Sequence, residues 1–298
     1  MVGAAKSGTT SLYYYLRQHP QIFLPASKEC WFFAFVGQEP PPDPVFSRIS
    51  LITNLEQYSD QFEPATEDQR VGECSTAYLH LWRQTIPNIS SHYAGQDPPG
   101  IVIVVRNPVA RAYSHYMFDV QEGYVDESFE EVLARSQSGS ISPYNNYLTY
   151  GQYSEQVRAY QQNFPDVRVL VSDDLAADPS HVVRDCLEFL GVDSGTPIDT
   201  GFRANVSGAP RHKRLAALVI DDNPIKRLIK PFLSDAMRQR LRTAVLSRSL
   251  RRQPMSESAA SLLRDYYKEE VTALSDLLER DLYGWLDDRT VADQGEAS

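Results

Sequence analysis

At 298 residues with 42% hydrophobic side chains, the chain is long enough for one large α/β domain around a substantial core. A formal net charge of −10 argues against a polyanionic partner such as nucleic acid or a heavily sulfated glycan, which would need a broad positive field. Cys30, Cys74 and Cys186 are too few, and odd in number, for a disulfide framework, and their spacing fits no zinc site.

In chain order, the first informative segment is Gly3-Ala4-Ala5-Lys6-Ser7-Gly8-Thr9-Thr10-Ser11-Leu12, a small-residue loop opening a helix predicted over Ser11–Gln18. Gly3 and Gly8 permit backbone conformations in which successive N–H groups turn toward an anion. Ser7, Thr9, Thr10 and Ser11 add hydroxyls at a helix N-terminus, and Lys6 adds a full positive charge. A phosphate or sulfonate is the natural guest. The Walker pattern, in which Lys directly follows the second Gly, fails because Lys6 precedes Gly8. Only Met1 and Val2 stand before Gly3, so either the first strand is a stub or the natural start lies further upstream, leaving room for an anchor. No apolar run reaches membrane-helix length and no signal-peptide pattern is present, so the expected compartment is the cytoplasm.

Further along, the proline-rich stretch from Gly37 to Pro44 reads as a spacer or lid, and Val71–Cys74 as a short strand. Ile101–Val105 is a continuous β-branched run, the mark of a parallel strand buried on both faces. It ends at Arg106, where open α/β sheets bind ligands, and Asn107-Pro108 starts a helix carrying Arg111 and, about two turns in, Ser114. Helices are predicted over Ser128–Ser136, Tyr153–Gln162 and His181–Leu190, with a strand over Val167–Val171, and helical periodicity returns from Lys226 onward. The expected organisation is one domain over residues 1–287 and a polar tail over 288–298.

The loop and the segment Arg106-Asn107-Pro108-Val109-Ala110-Arg111-Ala112-Tyr113-Ser114 together resemble the sulfotransferases that use 3′-phosphoadenosine 5′-phosphosulfate (PAPS), of the heparan-sulfate and bacterial type. The resemblance continues through Lys28-Glu29-Cys30-Trp31-Phe32-Phe33, Gly72-Glu73-Cys74-Ser75-Thr76-Ala77-Tyr78 and Gly151-Gln152-Tyr153, covering nearly the whole chain. It implies a central parallel sheet flanked by helices, in the P-loop nucleotide-kinase-like architecture, and chemistry without a metal. It also implies that Lys6 through Thr10 hold the 5′-phosphosulfate and that Arg106 and Ser114 hold the 3′-phosphate. Glu29 takes the place of the general base in the glycan-modifying branch, with Lys6 at the leaving group.

Glu73 and His80 are alternative bases or acceptor contacts, and Trp31 and Tyr150 are expected to stack on an acceptor. Where the glycan branch carries charged or polar contacts, this chain has Trp31, Ala34 and Cys74, which favours a neutral sugar, glycolipid or other small hydroxylated acceptor. From Arg203 to Arg252 thirteen Lys or Arg face three acids. Arg211 and Lys213 in this stretch are expected near the nucleotide phosphates, and the rest could face an anionic surface. Two rival readings stay open: a P-loop kinase-like phosphotransferase, and a nucleotide-binding module that has lost its chemistry.

Overall fold

The computed structural model describes residues 1–201, 209–210, 250–251 and 254–287. Ile101–Val105 pairs in parallel with Val167–Val171, residue for residue over all five positions. On its other side residues 2–4 run parallel to it: Val2 N–H donates to Val102 O at 3.0 Å, Ala4 N–H to Val104 O at 2.8 Å, and Val104 N–H to Gly3 O at 2.8 Å. Residues 2–4 thus extend the sheet on this side and lead directly into the loop that follows.

The central strand is buried throughout because both faces are covered. Ile101, Ile103 and Val105 join a core with Tyr153, Val157, Tyr160, Leu263, Tyr267 and Val271. Val102 and Val104 point the opposite way and pack with Leu12, Leu16, Val182, Cys186 and Leu187. This is the expected α/β architecture, with the Tyr153–Asn163 and Glu257–Leu278 helices over one face and Thr9–Leu16 and Pro179–Phe189 over the other.

Local signals set the helix ends. Asn107 caps the Pro108–Gln121 helix through Val109 N–H and Ala110 N–H, and Pro108 fits its first turn. Ser128 and Glu131 form a reciprocal capping box at Phe129–Ser138, and Gly139 ends that helix at φ 71°.

The strand expected over Val71–Cys74 is shorter and displaced: Arg70–Val71 pairs in parallel with Ile22–Phe23, and pairing stops there. Beyond it, the backbone of residues 73–76 serves other partners, with Cys74 O accepting from Glu29 N–H and Ser75 N–H donating to Met1 O. Among the described residues, no helix is long and apolar enough to cross a membrane. Arg211, Lys213 and nearly all of the basic stretch 203–252 lie outside the described residues, as does the tail.

Candidate active site

The loop from Gly3 to Gly8 leaves this first strand and enters the Thr9–Leu16 helix. At Gly3 a Cβ would stand 2.4 Å from Leu79 Cβ, so only glycine allows that approach. Gly8 sits at φ 89° as the N-cap, where a side chain would be strained and its Cβ 3.0 Å from Leu175. No side chain caps this helix, so its first turn presents an anion-binding terminus bordered by the Thr9 and Thr10 hydroxyls.

Three cations gather around this loop. Arg106, at the carboxyl end of the central strand, donates from Nη1 to Lys6 O at 3.0 Å and so ties that strand end to the loop. Lys6 Nζ lies 4.1 Å from the centre of the Phe118 ring. Phe118 is one helical turn from Ser114, which puts Ser114 on the helix face turned toward the loop. Burial, reinforced by Arg106 and only partly offset by Asp119, pushes the Lys6 ammonium down to about 7. Lys28 is the third cation: its Nζ lies 2.9 Å from Glu29 Oε1 and 3.5 and 3.4 Å from the Thr9 and Thr10 hydroxyls.

Glu29 lies among polar groups. Besides Lys28, Thr76 donates to it twice, from its backbone N–H at 2.7 Å and from its hydroxyl at 2.9 Å. The segment carrying Glu29 is held in an unusual shape, with Glu29 at φ 66° and Trp31 at φ 55°. Non-glycine residues in the left-handed region cost on the order of 1–3 kcal/mol each and persist only when their surroundings fix them. Here Cys74 O accepts from Glu29 N–H at 2.9 Å, Ser75 Oγ from Trp31 N–H at 3.2 Å, and the Tyr78 hydroxyl from Phe33 N–H at 3.0 Å.

Four expected acceptor residues have other occupations. Trp31 is a core residue, 6% exposed, edge-on to Phe46 at 6.0 Å. The Glu73 carboxylate accepts from the buried Cys30 thiol at 2.8 Å, and burial pushes its carboxyl upward. His80 donates from Nε2 to Pro143 O at 2.8 Å, and burial lowers it to about 4, leaving a neutral ring at pH 7. Tyr150 stacks on His80 at 4.0 Å, and its hydroxyl donates to Tyr144 O at 2.9 Å. These contacts build the wall behind Glu29. Ala34 and Cys74 are likewise buried.

Sequence reasoning passed over Lys28, Thr76 and Asp119 as site residues. Lys28 had a signal in its adjacency to Glu29. Thr76 and Asp119 had none, since each acts across the fold; Asp119 accepts from the Tyr147 hydroxyl at 2.5 Å and from Asn145 Nδ2 at 2.7 Å while opposing the depression of Lys6.

A parallel sheet with an anion-binding loop at its carboxyl edge and a carboxylate alongside defines a group-transfer enzyme of the α/β class. The sulfotransferase domain family matches residues 1–204, more than half of the sequence, and the chain belongs to that family. Similar proteins include the membrane-associated sulfotransferase kil1 of Dictyostelium discoideum, 31% identical over 41% of this chain and 22% of that protein. Heparan sulfate glucosamine 3-O-sulfotransferase 3A1 of Mus musculus is 28% identical over 64% of this chain and 45% of its own length. The chain thus spans less than half the length of these curated relatives. Among solved structures, a sulfotransferase from Alicyclobacillus acidocaldarius superposes with a TM-score of 0.70 at 28% identity, covering 96% of this chain and 97% of the other.

Proposed function

We propose that the chain moves a sulfuryl group from PAPS to a hydroxyl of a carbohydrate, glycolipid or other small acceptor, by in-line transfer without a metal. The observation that carries this reading is the gathering of three cations around one loop: Lys6 within it, Arg106 tied to its backbone, and Lys28 between the hydroxyls of the helix it opens and the Glu29 carboxylate. The loop fits a phosphate-linked sulfonate because Gly8 starts the helix at φ 89° with no side-chain cap, beside the Thr9 and Thr10 hydroxyls that Lys28 also reaches. PAPS supplies an activated sulfuryl group attached to a good leaving group.

Glu29, fixed by Thr76, takes the acceptor proton as the acceptor oxygen bonds to sulfur. The bond from sulfur to the bridging oxygen breaks, and its electron pair leaves with the 3′,5′-bisphosphate. Lys6 offsets that growing charge from a buried position, where a cation acts more strongly than in water. Arg106 and Ser114 hold the 3′-phosphate. Trp31, Ala34 and Cys74 are buried and neutral where the glycan branch has charged or polar side chains, so they add no charge to this side of the site, which goes with an uncharged acceptor; the compartment this reading goes with is the cytoplasm.

Calorimetric titration with 3′,5′-adenosine bisphosphate and with ATP, each with and without Mg²⁺, tests the donor. Tight, metal-independent binding of the bisphosphate is expected; an Mg²⁺-dependent preference for ATP would replace this reading with a kinase-like one. Arg106→Ala should weaken PAPS more than adenosine 5′-phosphosulfate, which lacks the 3′-phosphate. Equal losses would make Arg106 structural.

A further inference from the structure

We propose that Lys28 is a shared cation: one ammonium, held between Glu29 and the hydroxyls that open the Thr9–Leu16 helix, is contested by the base and by the 5′-phosphate end of the donor. The inference rests on the donor reading above and adds to it a coupling between donor occupancy and the base.

The geometry accounts for all three donors of the ammonium. Nζ reaches Glu29 Oε1 at 2.9 Å, Thr10 Oγ1 at 3.4 Å and Thr9 Oγ1 at 3.5 Å. Two of these partners are the hydroxyls on which an anion at this helix start would rest. An anion there lies within direct Coulomb range of Nζ, and at 17% side-chain exposure Lys28 has little water to screen it. Its four-carbon stem lets the charge move by a rotamer change while the backbone stays still.

Glu29 is built to tolerate that movement. Thr76 N–H at 2.7 Å and Thr76 Oγ1 at 2.9 Å hold both carboxylate oxygens without help from Lys28, so the base keeps its place when the cation turns toward the donor. Before the donor arrives, Lys28 occupies the Glu29 oxygen that must accept a proton; once the donor is seated, that oxygen is left with the Thr76 hydroxyl and is open to the acceptor. Competence for transfer is thereby linked to donor binding. The link has a thermodynamic consequence that needs no acceptor: Glu29 must weaken donor binding through Lys28.

The test is a double-mutant cycle on the full chain, read as the Kd for 3′,5′-adenosine bisphosphate by calorimetry at pH 7. Lys28→Met should weaken binding about 10-fold or more, while Glu29→Gln should tighten it about 3- to 10-fold by freeing the ammonium. In the Lys28→Met background, Glu29→Gln should change Kd by less than about 2-fold. Lys28→Arg, which keeps the charge, should retain both wild-type binding and the Glu29→Gln effect. If Lys28→Met does not fold, Lys28→Gln takes its place in the cycle. A full Glu29→Gln effect without the lysine would mean that Glu29 repels the donor directly, and it would overturn the proposal, as would unchanged binding in Lys28→Met. Wild-type chain that binds no bisphosphate would instead overturn the donor reading, so the two failures are distinguishable.

Discussion

The two halves of the site are built by opposite means. On the donor side, Gly3 to Ser11 is one continuous segment whose shape follows from its own glycines and from the helix it opens. On the acceptor side, Lys28 to Phe33 owes its shape to residues 74–78, which clamp its N–H groups and its carboxylate from more than forty positions away. A site can thus combine a self-shaping loop with a carboxylate segment held largely from elsewhere in the chain. Damage should differ accordingly: apart from the Lys28–Glu29 pair that joins the two sides, donor-side changes act on charge or on packing and acceptor-side changes on alignment.

The largest expected effect is on the donor side. Lys6→Ala should lower kcat by roughly 10²–10³, about 3–4 kcal/mol, if its charge acts in the transition state. Near-normal turnover would remove Lys6 from the chemistry and make the loop a purely backbone device. The same lysine gives a pH signature. With its folded value near 7, Lys6 is largely neutral at pH 8, and a bound dianion restores its charge. Bisphosphate binding at pH 8 should therefore take up a proton, seen as a heat that varies with buffer ionisation enthalpy. The uptake should fade toward pH 6 and be absent in Lys6→Ala. The sign for stability is also fixed: between about 7 and the ordinary lysine value the unfolded chain binds more protons at this site, so Lys6 alone makes stability rise with pH there.

Next in size is the loop's packing. Gly3→Ala forces a Cβ to 2.4 Å from Leu79, and overpacking of this kind costs about 1–3 kcal/mol. A Tm lower by about 4–8 °C is expected, and an unchanged Tm would show that the first strand can shift freely. On the acceptor side, Thr76→Val deletes the hydroxyl that donates to Glu29 at 2.9 Å but keeps the backbone donor. We expect kcat to fall about 10-fold with bisphosphate affinity unchanged, the cost of one charge-assisted hydrogen bond. A matching loss of donor affinity would show that the Thr76 hydroxyl supports the donor as well as Glu29. The smallest effect belongs to a contact outside both halves: Arg280 pairs twice with Asp174, but both side chains are over 40% exposed. Arg280→Ala should cost less than about 1 kcal/mol, read as a small Tm change.

The sheet was legible because its signals are local. Ile101–Val105 forms a strand buried throughout because its β-branched run has no polar break, and Val167–Val171, broken by Arg168, forms its half-buried parallel neighbour. Capping did the same for the helix after Ser128, whose partner Glu131 lies three residues on. What residue type and position did not reveal is the partner each side chain has within the fold. Glu73 and His80 looked like cleft residues from type and position, yet Cys30 and Pro143 claim them inside the fold. Trp31 suggested an acceptor platform, but Phe46 covers its edge.

The sequence by itself determined the anion loop, the strand behind it and the Arg at that strand's end, because backbone conformation, burial and charge at those positions depend on near neighbours. Only the tertiary structure decided that Lys28 bridges Glu29 to the loop, that Thr76 holds the base, and that Lys6 is pushed toward neutrality. Each of those depends on groups brought together across the fold, and hydrogen bonding and desolvation act over a few ångströms of space, whatever the distance along the chain.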